Sequence, residues 1–220
     1  MNFTVNTYLS FITIIFSINT ILSQNTESDQ EKCTNILQIV SNSIQSNEAS
    51  KFNFDLKIIS QDFNETQNGY AIIKDEQFFY KTSERQVICD GENVWTYIIE
   101  DNECYIDLLK DLENTVNPSD LFNMWENGFK FKYVKKEIIN NELLHTIKMF
   151  PKNPNESNYH TVIMYVNETN KTIKEASMKS KDGVTINMKI SSLIANPKIK
   201  SSQFTWNSSE YIDVDEIDNR

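Results

Sequence analysis

Short runs of β-branched and aromatic residues, each cut off by Asn, Asp, Gly or Pro, follow one another along most of this chain, and that rhythm predicts an antiparallel sheet. The strictest run is Phe52-Asn-Phe-Asp-Leu-Lys-Ile58, whose period of two sets Phe52, Phe54, Leu56 and Ile58 on one face. Gln86 to Ile99 holds two such runs joined by Asp90-Gly91, a β-hairpin whose turn extends through Glu92-Asn93 or closes before it. Within it Trp95, Tyr97 and Ile99 alternate with Val94, Thr96 and Ile98, and the aromatic side is expected to face an apolar cavity.

Further strands are expected at Tyr70 to Lys74, Phe78 to Lys81 and Glu103 to Leu108, forming a meander with the hairpin. After a break they resume at Phe129 to Tyr133, Leu143 to Met149, Tyr159 to Val166, Thr172 to Met178 and Val184 to Ile190, with a last short strand at Gln203 to Trp206 and a charged tail. Roughly eleven strands fit these segments. Two stretches read as helix. Cys33, Ile36, Leu37, Val40 and Ile44 recur at three- and four-residue steps, the stripe of a helix that covers a sheet. Asn117-Pro118 offers an N-cap followed by proline at the first helical position, Gly128 a stop, and Leu121, Phe122 and Trp125 one apolar face between them.

Residues 1–23 read as a secretory signal. The Ile-rich run from Tyr8 to Leu22 is short for a membrane span, and Ser23 stands at a cleavage point, although no Lys or Arg precedes the run. An uncleaved anchor is the other reading. Residues 24–220 then form one domain, large enough for a sizeable core.

Several function classes are excluded or disfavoured. A formal net charge of -10 argues against a nucleic-acid backbone as partner. The 4 glycines, at Asn68-Gly69, Asp90-Gly91, Asn127-Gly128 and Asp182-Gly183, are all expected in turns or caps, which leaves none to cradle a phosphate. Cys33, Cys89 and Cys104 match no zinc or redox spacing, and a Cys89–Cys104 bridge would have to cross two inter-strand spacings of ~4.8 Å, so thiols are expected. The two histidines, His145 and His160, stand apart and read as structural or solvent-facing. Asp213, Asp215, Glu216 and Asp218 lack the glycine of a calcium loop and read as a solvated tail. No catalytic residue, metal or cofactor is expected; an enzyme is conceivable only through carboxylates that sequence does not pair. The 13 Phe, 9 Tyr and 3 Trp fit an ordinary β core or the lining of a pocket for hydrocarbon chains.

Four segments, in order, carry a family resemblance: Phe78-Phe-Tyr80 with Asp90-Gly-Glu-Asn-Val-Trp-Thr-Tyr97; Asn117-Pro-Ser-Asp-Leu-Phe122; Met178-Lys-Ser-Lys-Asp-Gly-Val-Thr-Ile-Asn-Met188; and Phe204-Thr-Trp206 with Ile212-Asp-Val-Asp-Glu-Ile217. Together they resemble the outer-membrane lipoprotein carrier family, the periplasmic LolA-like proteins. The resemblance implies an incomplete antiparallel β-barrel of about eleven strands with a helical lid over an apolar cavity, no catalytic residue and no cofactor. It implies a periplasmic monomer that carries acylated lipoproteins from an inner-membrane ABC exporter to an outer-membrane acceptor. Phe52, Phe54, Leu56, Phe78, Tyr80, Trp95, Tyr97 and Phe131 are then the expected sheet-side lining, with Leu121, Phe122 and Trp125 on the lid. One departure stands out: where relatives carry a Lys-Arg-Pro segment whose Arg holds the lid, this chain has Lys74-Asp75-Glu76. The alternative role is a lipid- or lipoprotein-binding sensor with the same half-barrel; related folds do this with an added domain, which is not expected here after the closing strand.

Overall fold

The computed structural model describes residues 28–112, 124–126 and 128–220; the expected signal segment and most of the expected second helix, Leu121 and Phe122 included, lie outside them. The described chain is mainly β. One α-helix, α1 (Asp29–Gln45), precedes a 12-stranded sheet: β1 (Ser50–Ile59), β2 (Asn64–Lys74), β3 (Gln77–Lys81), β4 (Arg85–Cys89), β5 (Asn93–Ile98), β6 (Glu103–Leu108), β7 (Phe129–Ile139), β8 (Glu142–Pro151), β9 (Tyr159–Asn167), β10 (Thr172–Ser180), β11 (Thr185–Ala195) and β12 (Asp215–Asp218). The spatial order is β12-β6-β5-β4-β3-β2-β1-β11-β10-β9-β8-β7, so the sheet is unclosed, with β12 and β7 as its two edges. Every neighbouring pair is antiparallel except β12 and β6, which run parallel.

Local chemistry explains most of these elements. Ser28 caps α1, its hydroxyl accepting from the Glu31 amide at 3.2 Å, and Asp29 and Glu31 place negative charge in the first turn. The five residues expected on the apolar stripe are the ones that are buried, joined by Ser41. Between β4 and β5 the Asp90 carboxylate accepts from the amides of Glu92 and Asn93 at 2.9 and 2.7 Å while Gly91 takes φ +102°, so the turn does run through Glu92-Asn93. Asn140 and Asn141, at φ 51° and 64°, make the two-residue connection between β7 and β8.

Three expectations need correcting. Gly69 is not in a turn but inside β2, opposite Phe54 of β1. A Cβ there would meet the Phe54 ring and the Lys81 carbonyl oxygen at 2.6 Å each, so the missing side chain is what lets that ring lie across the neighbouring strand. Gln203 to Trp206 is no strand: Ser201–Phe204 is a short 3₁₀ turn. The final strand is instead Asp215–Asp218, taken from the acidic tail and paired residue by residue with Glu103–Ile106. Of Asn117 to Gly128, the described residues are Met124–Glu126, a 3₁₀ turn, and Gly128, at φ +86°.

Candidate functional site

The candidate site is the sheet face under α1. Strand register sorts side chains between the two faces without ambiguity, because residues directly opposite one another in a ladder share a face. Phe52 stands opposite Ala71, Ala71 opposite Tyr80, and Ile73 opposite Phe78; Phe78 and Tyr80 in turn stand opposite Cys89 and Val87, and Cys89 opposite Val94. In the other direction Leu56 stands opposite Met188, Met188 opposite Ala176, Ala176 opposite Met164, Met164 opposite Ile147, and Ile147 opposite Tyr133. All of these belong to one continuous apolar face.

Helix α1 lays Cys33, Ile36, Leu37, Val40 and Ile44 on that face, and a single cluster of buried residues results, running from Phe52 and Phe54 through Ile147 and Met164 to Trp125. Around it, half-buried, stand Leu56, Tyr80, Phe131, Tyr133, Met178 and Met188. The structure therefore brings together six of the expected lining residues: Phe52, Phe54, Leu56, Tyr80, Trp125 and Phe131. Phe78 shares the face but sits in an adjoining cluster with Val87, Cys89 and Val94, packed by Leu109 and Leu112 and joined to the first through Tyr80.

Trp95 and Tyr97 are on the opposite side, which corrects the expectation for the central hairpin. Trp95 stands opposite Ile88, and Ile88 opposite Phe79, a row that packs under Ile199, Phe204 and Trp206 of the C-terminal segment. Tyr97 meets the rings of Trp206 and Tyr211 at centroid distances of 5.8 and 4.7 Å. The partner face of β5 carries Val94, which is wholly buried, so it is the plainer face of this hairpin that looks toward the helix.

Three contacts fasten α1 to β7 and to the turn before it, and none was read from the sequence. The Gln30 side-chain oxygen accepts from the Phe131 amide at 3.1 Å, on the side of β7 away from β8. The Lys32 ammonium lies 3.6 Å from the centre of the Tyr133 ring. Trp125 donates its indole N–H to the Ser41 hydroxyl at 2.9 Å, inside the core. None of them involves Lys74, Asp75 or Glu76, the segment that stands where the resemblance places an arginine. Asp75 and Glu76 line something different, an open depression of about 600 Å³ between the β2–β3 and β4–β5 turns, which Gln77, Asp90, Gly91 and Glu92 complete. That polar rim does not suit an apolar ligand.

The titratable groups are arranged for structure. His145, buried on the helix side of β8, has Nδ1 3.0 Å from the Tyr133 hydroxyl and Nε2 3.0 Å from Glu168, which also lies 3.6 Å from Lys136. Burial lowers its pKa, and the hydrogen bond to Glu168 opposes that shift. The only sequence signal for this group was that His145 alternates with apolar residues; the pairing with a turn residue 23 positions later is a product of the fold. His160 is exposed, 2.8 Å from the Thr161 hydroxyl. All three cysteines are buried thiols, and burial together with nearby Glu216 pushes Cys104 up to about 12, which suppresses thiolate chemistry. Among the described residues no group of three metal-ligating side chains converges, and no helix is long and apolar enough to cross a membrane.

A solved structure shares this fold, and others match it more loosely. The chain superimposes on an uncharacterized conserved protein from Thermus thermophilus with a TM-score of 0.59 at 8% identity, over 86% of this chain and 99% of that one. LprF from Mycobacterium bovis matches with a TM-score of 0.46 at 11% identity, over 79% and 98%. A LolA superfamily protein from Nitrosomonas europaea matches with a TM-score of 0.41 at 12% identity, over 79% and 97%. No curated protein matches the sequence. The family model described as outer membrane lipoprotein carrier protein LolA matches residues 77–207, more than half of the chain, and the protein belongs to that family.

Proposed function

We propose that this protein is a periplasmic, monomeric, non-catalytic carrier that shields the acyl chains of lipoproteins between an inner-membrane ABC exporter and an outer-membrane acceptor. The observation that carries the reading is the continuous apolar face of β1, β2, β3 and β7 to β11, covered by one helix that is fastened at its margin through a few polar contacts. Membership of the carrier family supports it.

Magnitudes favour exchange on that face. A 16-carbon chain left in water is worth on the order of 12 kcal/mol at ~0.8 kcal/mol per methylene. Lifting α1 exposes Ile36, Leu37, Val40 and Ile44, at a cost of roughly 6–12 kcal/mol for four such side chains. One apolar surface replaces another, the two terms nearly cancel, and loading and release both stay reversible. A deep polar site would bind too specifically for a carrier of many cargoes.

Native mass spectrometry of protein purified from cells measures the cargo directly. Leu56→Glu and Met188→Glu, opposite each other at the half-buried margin, are expected to abolish co-purifying lipoprotein or lipid. Lys57→Glu, exposed on the other face of β1, is expected to keep it. Equal cargo on all three variants would remove the face under α1 from consideration.

A further inference from the structure

The β7–β8 hairpin differs from the rest of the molecule in charge and in exposure. Residues 129–152 hold six lysines against two glutamates, in a chain whose net charge is -10. Of eight large apolar side chains exposed among the described residues, four are on this hairpin: Val134 at 39%, Ile138 at 73%, Leu143 at 40% and Phe150 at 37%. Ile138 and Leu143 stand opposite each other beside the Asn140-Asn141 turn, beyond His145, where the pairing of β8 with β9 ends. The tip thus projects past its neighbour with an apolar pair on it. On the face away from α1, Lys132 stands opposite Lys148 and Lys130 opposite Phe150. None of these three lysines makes an ion pair among the described residues, whereas Lys135 and Lys136 are neutralised by Glu137 and Glu168.

Protection of a sheet edge accounts for only part of this. Lysines on an edge strand discourage strand-to-strand aggregation, and Lys130 and Lys132 fit that role. Lys148 is on β8, which is paired on both sides, and an isoleucine at 73% exposure on the same hairpin works against solubility. Lysines along one side of a hairpin and an apolar pair at its tip are instead the pattern of a segment that enters a bilayer interface tip first, lysines at the headgroups and apolar tips beneath them.

We propose that the β7–β8 hairpin is a docking element for an anionic membrane surface. The acidic remainder of the molecule is repelled by such a surface, so the electrostatic asymmetry turns this hairpin toward it. Binding is weak and reversible, since three unpaired lysines and two aliphatic tips fall far short of an inserted helix. The inference is independent of the carrier reading, because Ile138 and Leu143, though on the helix side of the sheet, are exposed at the tip, the three lysines are on the other side, and the vesicles contain no lipoprotein.

Co-sedimentation of the full chain with phosphatidylcholine vesicles, with and without phosphatidylglycerol, tests it. Binding is expected only with phosphatidylglycerol, to weaken as salt rises, and to fall about tenfold or more in the Lys130→Glu/Lys132→Glu/Lys148→Glu variant. The Ile138→Asp/Leu143→Asp variant, altered only at exposed positions, is expected to lose binding as well while circular dichroism shows an unchanged fold. Binding of both variants equal to that of the unaltered chain overturns the proposal, whatever other segment then holds the vesicle. Retention of the Ile138→Asp/Leu143→Asp variant, but not of the lysine variant, on immobilised polyglutamate and on vesicles alike would assign the hairpin to an acidic protein and overturn it equally.

Discussion

Held between Tyr133 and Glu168, His145 has to reverse a hydrogen bond when it takes up a proton, the Tyr133 hydroxyl turning from donor to acceptor. Glu168 as a carboxylate only accepts, so Nε2 carries the hydrogen of the neutral ring and Nδ1 accepts from the Tyr133 hydroxyl. Protonation turns Nδ1 into a donor facing that hydroxyl, with Lys136 and Lys32 adding repulsion. Burial is the largest influence and lowers the pKa from its ordinary value of 6.5. An unfolded chain therefore binds this proton more readily than the folded one, and the contribution of His145 to stability is complete above about pH 6.5 and declines as pH falls below it. Nuclear magnetic resonance titration is expected to place His145 below 6.5, and Glu168→Gln, which removes the opposing carboxylate, lower still. A titration at or above 6.5 would mean that the ring is wetter than its place in β8 indicates. Sequence could not reveal this group, since Tyr133 and His145 meet across a hairpin and Glu168 arrives from a turn beyond the next strand. Gly69 shows the same limit from the other direction: Asn68-Gly69 is an ordinary turn signal, and only the ring of Phe54 explains why glycine stands inside a strand.

At the scale of elements, α1 is the piece that has to move if the face beneath it is to receive anything. Its two fastenings at the β7 edge, the Gln30 contact to the Phe131 amide and Lys32 over Tyr133, are together worth about 2 kcal/mol. Hydrogen exchange in the Gln30→Ala/Lys32→Ala variant is expected to quicken in α1 by roughly thirtyfold, the equivalent of that energy, while β1, β2, β9 and β10 keep their protection. Should helix and sheet exchange together in both proteins, α1 would be no separately opening unit and the exchange scheme proposed for cargo would fail. The helix itself was legible, because its apolar spacing is local and Ser28 announces its start. So were β1 to β11 in part or whole, although β7 runs on to Ile139, and β2 reaches back to Asn64 through polar residues and β11 on to Ala195, both of these extended by pairing with β1 rather than by their own pattern. β12 was not legible. Asp215-Glu-Ile-Asp218 has no strand character of its own and pairs on one side only, in parallel with β6, a partner that nothing local identifies.

The molecule as a whole is a sheet with two differently roofed faces, and this decides what each aromatic residue is for. One face is roofed by α1; the other, over β2 to β5, by the segment after β11, where Trp206 stacks on Tyr211 at 4.3 Å, meets Tyr97 at 5.8 Å and donates to Glu216. Alternation showed that Trp95 and Tyr97 share a side but not which side it is, because both sides of the hairpin are covered and a one-residue slip exchanges them. Their ring contacts are those of a structural clasp that fixes the C-terminal segment, and with it β12, to this end of the sheet. Trp206→Ala is therefore expected to lower stability by about 1–3 kcal/mol in urea unfolding, through lost stacking and burial. Cargo bound per folded molecule is expected to stay as it is, because nothing on the face under α1 has changed. Were Trp206→Ala to empty the protein of cargo while it remained folded, the apolar ligand would belong on the side of Trp95 and Tyr97, and the roof over it would be the C-terminal segment rather than the helix.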